Sequence, residues 1–332
     1  MNLQENSTSP PIVPKVERYF KFYFLLILHV PSLIFTFFIL YNFQWKRLVT
    51  QIFGILLIVN ALLILAELPF TLQFLYKGYL LDVHLCPVWV LINYSLFILS
   101  IILITWTSIE RYLFIYHELF IKHHSILFHY LPVVLFSLYT PTFYTGLVIF
   151  YPCEQAYTVY SYICSGPCYL FESVPCLIDW GINVVLVLGI TCFVNIVIIV
   201  RNIIQRDRMK QSIITSGNRQ QWQRTLRLSF QLFSISSLCI IGWIPYGIVS
   251  SMQIFKNTPT LAYLLSTFFI YFPYIQTLLL PYACIFFMPE IKQKLGLKLK
   301  QLYLFKKIFP HNRVHIAPTE QNYTLQDLNH YF

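Results

Sequence analysis

From Val83 to Ile109 the chain carries no Asp, Glu, Lys or Arg, and the run is followed at once by Glu110-Arg111-Tyr112. Cys86 lies near its start. The twenty-five residues from Cys86 to Arg111 make about 37 Å of helix at about 1.5 Å each. The hydrocarbon core of a bilayer is about 30 Å thick. One helix therefore crosses it with a cysteine at one face and an acid–base pair at the other.

Six further runs are of spanning length, giving seven at about 21–43, 48–76, 83–109, 125–151, 176–200, 228–255 and 260–287. They are apolar all round, where helices of a soluble core would show an apolar stripe. Lys21 edges the first, Glu67 lies inside the second, and Asp179 stands near the start of the fifth. Only 11% of the chain is charged, against about 25% in soluble proteins. The net charge of +10 sits between apolar runs, which argues against nucleic acid as a partner. The expected fold is an all-α integral membrane protein, a seven-transmembrane helix bundle with a short amphipathic juxtamembrane helix after the seventh span. Residues 1–20 are read as an extracellular tail, 21–287 as the bundle, and 288–332 as a cytoplasmic tail.

Orientation follows from basic residues, which are retained on the cytoplasmic side during insertion. With the amino terminus outside, only Lys15, Arg18, Lys21, Lys77 and Lys256 of the 23 lysines and arginines face outward. The first twenty residues lack an apolar core and a cleavage site, so the first span is expected to act as the insertion signal. Cys86, Cys153, Cys164, Cys168 and Cys176 then lie outside, where disulfides persist. Cys192, Cys239 and Cys284 read as small buried hydrophobes. Asn6-Ser7-Thr8 is an external glycosylation acceptor, whereas the Asn322-Tyr323-Thr324 sequon falls in the cytoplasm.

Metal chemistry needs several histidines or acids converging in the bundle. Only His29 lies deep in a span, with His84, His117, His123, His124 and His129 near membrane faces, so neither a metal, a cofactor nor an enzyme is expected. A transporter or channel is one class that a membrane bundle of this kind admits. It would be expected to show more intramembrane charge than Glu67, or an internal repeat, and none is visible.

Two segments carry a family resemblance. Cys86 and Glu110-Arg111-Tyr112 bracket the third span, and Gly242-Trp243-Ile244-Pro245 lies in the sixth, similar to Cys-Trp-x-Pro with glycine for cysteine. The chain thus resembles the rhodopsin-like (class A) G-protein-coupled receptors, as a divergent, orphan member. Asn60 stands where that family has its sodium-binding aspartate, and Leu280-Pro281-Tyr282-Ala283-Cys284 replaces Asn-Pro-x-x-Tyr.

The resemblance implies a receptor at the plasma membrane that takes an unidentified extracellular ligand and activates a heterotrimeric G protein. It assigns coupling and switching to Glu110, Arg111, Tyr112, Trp243, Pro245 and Pro281. Glu110 is expected to lock Arg111, and the sixth helix to swing outward about Pro245, where a backbone donor is missing. It also gives Cys86 a partner in the second outer loop. Residues 151–164 alternate enough to predict a hairpin, so Cys164 is favoured, with Cys168 next and one thiol left over.

Ligand-binding candidates are Glu67, Asn93, Trp243, Tyr246 and Gln276, with Asn183 as further polar lining. Glu67 either faces a cavity or is held, protonated, by a backbone partner. Asp179 is expected to be solvated. Asn93 occupies the position of the amine receptors' aspartate and cannot form an ion pair, which disfavours a biogenic amine. No lysine in the seventh span disfavours retinal. The tail from Pro289 to Lys307 mixes apolar and basic positions, which suits a helix at the headgroups of the lipid bilayer.

An amino-terminal epitope is expected to stain intact cells and a carboxyl-terminal one only permeabilised cells. The opposite staining would refute this topology.

Overall fold

The computed structural model describes residues 14–297 apart from 44, 46, 47, 117, 212–215, 256, 257 and 288–290. Seven helices are long and apolar enough to cross a membrane. They are α1 (Lys15–Tyr41), α2 (Gln51–Lys77), α3 (Leu85–Phe114), α4 (Ile126–Phe150), α5 (Ser173–Ile204), α6 (Phe233–Gln253) and α7 (Pro259–Phe287). α1 starts six residues before its expected bound, because Pro14 stands just ahead of the first turn and Glu17 lies within it.

α3 is the axis of the bundle. Its most apolar stretch is 72% buried, against 22% for α1 and for α4. It packs against α2, α4, α5 and α6, while α7 closes the ring between α6 and α1. Large apolar side chains such as Phe20, Ile27, Leu138 and Phe193 point outward. In water such a surface would be a liability, but lipid accepts it. Trp89, Phe53, Leu56 and Leu103 are among the fully buried side chains at the centre.

The helices are not uniform. π-helical turns occupy Leu63–Glu67, Ile126–Tyr130, Gly146–Phe150 and Asp179–Leu186. A π-turn inserts an extra residue and re-aims the side chains around it. Three of the four hold a buried titratable residue: Glu67, His129 and Asp179.

The loop between α4 and α5 departs from expectation. Among the described residues there is no strand, and the predicted hairpin is replaced by a 3-10 turn at Tyr162–Ser165. Ile163, Cys164 and Ser165 are left-handed, with φ of 48°, 54° and 72°. Three consecutive positive φ values curl the chain and abolish a ladder register. One backbone bond, from the N–H of Leu80 to the carbonyl of Val159, ties the loop to the chain after α2. Cys86 is joined to Cys164 with Cα atoms 5.7 Å apart, and Cys153 to Cys168 at 6.0 Å, both within the ordinary range for disulfides. Cys176 is free and buried.

From Lys292 onward a separate compact unit begins. Its residues 292–297 are helical, and the remainder of the expected amphipathic helix lies outside the described residues, as does Asn6.

Peptide mapping of non-reduced protein is expected to recover Cys86 linked to Cys164 and Cys153 linked to Cys168. Cys176 should alkylate only after denaturation. A native protein with Cys86 alkylated would refute the pairing.

Candidate functional site

At the Cys86 end the helices part around a cavity of about 1140 Å3. The 3-10 turn of the α4–α5 loop lies over it, held by Cys164, and contributes Tyr162 to the wall. Asn93 from α3 and Trp243 and Tyr246 from α6 line it, as three of the five ligand-binding candidates. Arg18 and Lys21 of α1 reach the same space.

Glu67 lies behind that wall. It is fully buried, and its Oε1 accepts from Thr71 Oγ1 (2.9 Å), Trp89 Nε1 (3.2 Å), Asn93 Nδ2 (2.9 Å) and the Tyr274 hydroxyl (2.7 Å). Oε2 is buried without a partner. Neither expectation for Glu67 describes this arrangement, since its partners are side chains rather than backbone and it does not face the cavity. The reason is local: the π-turn ending at Glu67 aims it at α3 and α7. The Tyr162 hydroxyl joins that of Tyr274 at 2.7 Å, so the loop over the cavity is tied to the same knot. Burial first, and then the Glu67 charge, push the Tyr162 phenol well above its ordinary range.

Gln276 also sits behind the wall. Its Oε1 accepts from Trp243 Nε1 at 3.0 Å, and its Nε2 donates to Ser100 Oγ at 2.7 Å. This chain links α6, α7 and α3 below the cavity, with the Phe97 ring against Trp243 at 5.9 Å. Gly242 explains its own departure from cysteine. A Cβ there would stand 3.1 Å from the Phe272 carbonyl oxygen, so any larger residue would push α6 and α7 apart by a few tenths of an ångström.

Asp179 is not solvated. It is 3% exposed, lines the cavity, and accepts from Tyr144 (2.6 Å) and Asn183 (2.9 Å) at Oδ1 and from Tyr169 (2.9 Å) at Oδ2. Asn183 is therefore spent on Asp179 and on Tyr139, which donates to it at 2.9 Å, rather than lining the cavity. The sequence held a signal for this: a lone acid four residues before an asparagine in an apolar run puts both on one helical face.

At the other end the expected lock is rearranged. Glu110 Oε1 pairs with His129 Nδ1 of α4, not with Arg111. His129 Nε2 meets Gln51 Oε1 at 2.9 Å, and Gln51 Nε2 donates to the Trp45 carbonyl at 2.8 Å. That donation fixes the Gln51 amide so that its oxygen faces the imidazole, which makes Nε2 a donor. His129, in the first turn of α4 and so near a membrane face as expected, is thus buried among the helices rather than exposed. Arg111 is 2% exposed, with no hydrogen-bond partner on any guanidinium nitrogen, and lies over the Phe53 ring at 4.7 Å. Tyr112 and Tyr116 meet at a tilt of 51° with ring centroids 5.0 Å apart, and the Arg201 guanidinium covers both rings. Ser108 and Ser236 hydroxyls, 3.3 Å apart, join α3 to α6. Pro245 and Pro281 lie inside their helices.

Among the described residues no group of three His, Cys, Asp or Glu could hold a metal ion. The family described as "7 transmembrane receptor (rhodopsin family)" matches residues 32–282, well over half of the chain. No individual curated protein matches it.

A buried donor stripped of its acceptor costs about 1–3 kcal/mol. Glu67→Ala, which strips four donors, is expected to lower the melting temperature of the purified protein clearly more than Glu67→Gln, which keeps one oxygen. Equal losses would show that side-chain volume, not hydrogen bonding, is what Glu67 supplies.

Proposed function

Because the chain belongs to the rhodopsin family of seven-transmembrane receptors, we propose that it works at the plasma membrane with its amino terminus outside. On this reading it binds an extracellular ligand in the cavity at the Cys86 end and activates a heterotrimeric G protein at the Arg111 end. The observation that carries the reading is Trp243. It forms part of the cavity wall, is hydrogen-bonded through Gln276 to α3, and stands two residues before Pro245.

A ligand that shifts the indole breaks the Trp243–Gln276 bond and frees α6 from α7. Pro245 supplies the weak point, since a proline inside a helix removes one backbone hydrogen bond. Movement of the far half of α6 then separates Ser236 from Ser108 and opens the bundle beside Arg111. Glu110 is occupied by His129, so the resting hold on α6 comes from contacts such as the serine pair and not from an arginine lock. Arg111, with its donors unpaired, is ready to donate to carbonyls or carboxylates of the G protein.

Arg111→Ala is expected to abolish receptor-driven nucleotide exchange on the G protein. His129→Ala releases Glu110 toward Arg111 and should lower basal exchange at least several-fold, since a pair this buried is not screened as an exposed one is. Exchange assays on receptor in lipid discs measure both. Undiminished coupling by Arg111→Ala would refute the role given to Arg111.

A further inference from the structure

The cavity holds one feature that the receptor reading leaves unused: Asp179 has no ion-pair partner among the described residues, and the basic residues of the same wall, Arg18 and Lys21, belong to α1, where Lys21 pairs with Glu17. Asp179 lines the space and is met only by donors that are neutral: two phenols and an amide. The ion pairs among the described residues join Lys21 to Glu17 and His129 to Glu110, and neither involves Asp179. An ionisable residue inside a membrane bundle is costly, and it marks a pathway or a ligand counter-ion where no internal partner neutralises it.

The two carboxylate oxygens offer about four acceptor sites. Oδ1 takes Tyr144 and Asn183, whereas Oδ2 takes Tyr169 alone, so one site on Oδ2 remains. The walls beside it are aromatic. Trp180 and Tyr246 meet edge to face at 5.4 Å, and Tyr94 and Tyr144 lie 5.8 Å apart; all four line the cavity. The Trp180 indole N–H is fixed on Ser251 at 3.0 Å. Aromatic faces next to a carboxylate favour a cation, through the ring quadrupole and the ion pair together.

We propose that the cavity binds an organic cation, an ammonium or guanidinium group, against Asp179 and between the rings of Tyr94, Trp180 and Tyr246. The inference rests on the cavity being the receptor's ligand site. It moves the counter-ion from the third helix, where Asn93 is spent on Glu67, to the fifth. The volume exceeds the roughly 300–1,000 Å3 usual for small-molecule sites, so the cation is the head of a molecule with further apolar bulk. The amine of a small aromatic molecule and the basic side chain of a short peptide share this chemistry.

The test uses the purified full-length receptor in lipid discs, with ligand-induced thermal stabilisation read without any G protein. Phenethylamine and acetyl-Phe-Arg-amide are compared with their neutral counterparts, phenethyl alcohol and acetyl-Phe-citrulline-amide. At least one cation is expected to raise the melting temperature in a saturable way, with the neutral partner inert. Asp179→Asn should weaken that cation at least tenfold. Whichever cationic probe is bound more tightly identifies the source. Stabilisation by neither cation, equal effects of cation and neutral partner, or undiminished binding by Asp179→Asn would each overturn the proposal. If Asp179→Asn does not fold, Trp180→Leu, expected to weaken the cation alone, takes its place. Because no G protein is present, cation binding without nucleotide exchange would count against the signalling reading and leave the site intact.

Discussion

The arrangement rests on one carboxylate oxygen. Glu67 Oε1 gathers hydrogen bonds from α2, α3 and α7, and through Tyr274 it reaches the loop residue Tyr162. In lipid no water stands in for a lost partner, so each polar group inside the bundle must find its partner in protein. Satisfying Glu67 therefore fixes where α2, α3 and α7 meet. The disulfide from Cys86 and the Tyr162–Tyr274 bond then hold the α4–α5 loop over the space these helices leave.

The same constraint recurs at the other buried ionisable groups, and the chain meets it in the same way. Glu67, His129 and Asp179 each lie in a π-helical turn. Widening the helix at those points turns the side chain inward, toward donors or acceptors on other helices. His129 bridges α4 to Glu110 on α3 and Gln51 on α2, and Asp179 joins α5 to Tyr144 on α4 and to Tyr169 in the loop. α3 meets one of these clusters near each of its ends, which accounts for its place as the axis.

Arg111 departs from this pattern, as does Asn60, whose side-chain nitrogen and oxygen are both buried without a partner. Arg111 is buried over Phe53 with every guanidinium nitrogen unpaired. A charge left in that state is maintained only because the surrounding packing holds it. On the reading proposed above, the energy it releases on meeting an acceptor contributes to binding the G protein. The diversion of Glu110 to His129 is what makes this possible.

The seven spans were legible in the sequence, because length and absence of charge alone decide whether a helix suits a bilayer. So were the places of Cys86, Arg111, Trp243 and Pro245, which the helical rise puts at fixed depths. Two lone acids in apolar runs, Glu67 and Asp179, also stood out, whereas His129 read only as one of several histidines near membrane faces. The partners of these residues did not stand out. Tyr274 lies 207 positions from Glu67, and His129 lies 19 from Glu110. Local pattern gives the face a residue occupies within its own helix, but π-turns rotate that face, and the neighbour it meets depends on how separate helices pack. The sequence alone determined a membrane bundle with a cysteine at one end of its third helix and an arginine at the other. Only the tertiary structure decided that Glu110 serves His129, that Glu67 and Gln276 brace the cavity from behind, and that Asp179 stands in it, since these depend on contacts between chain segments far apart.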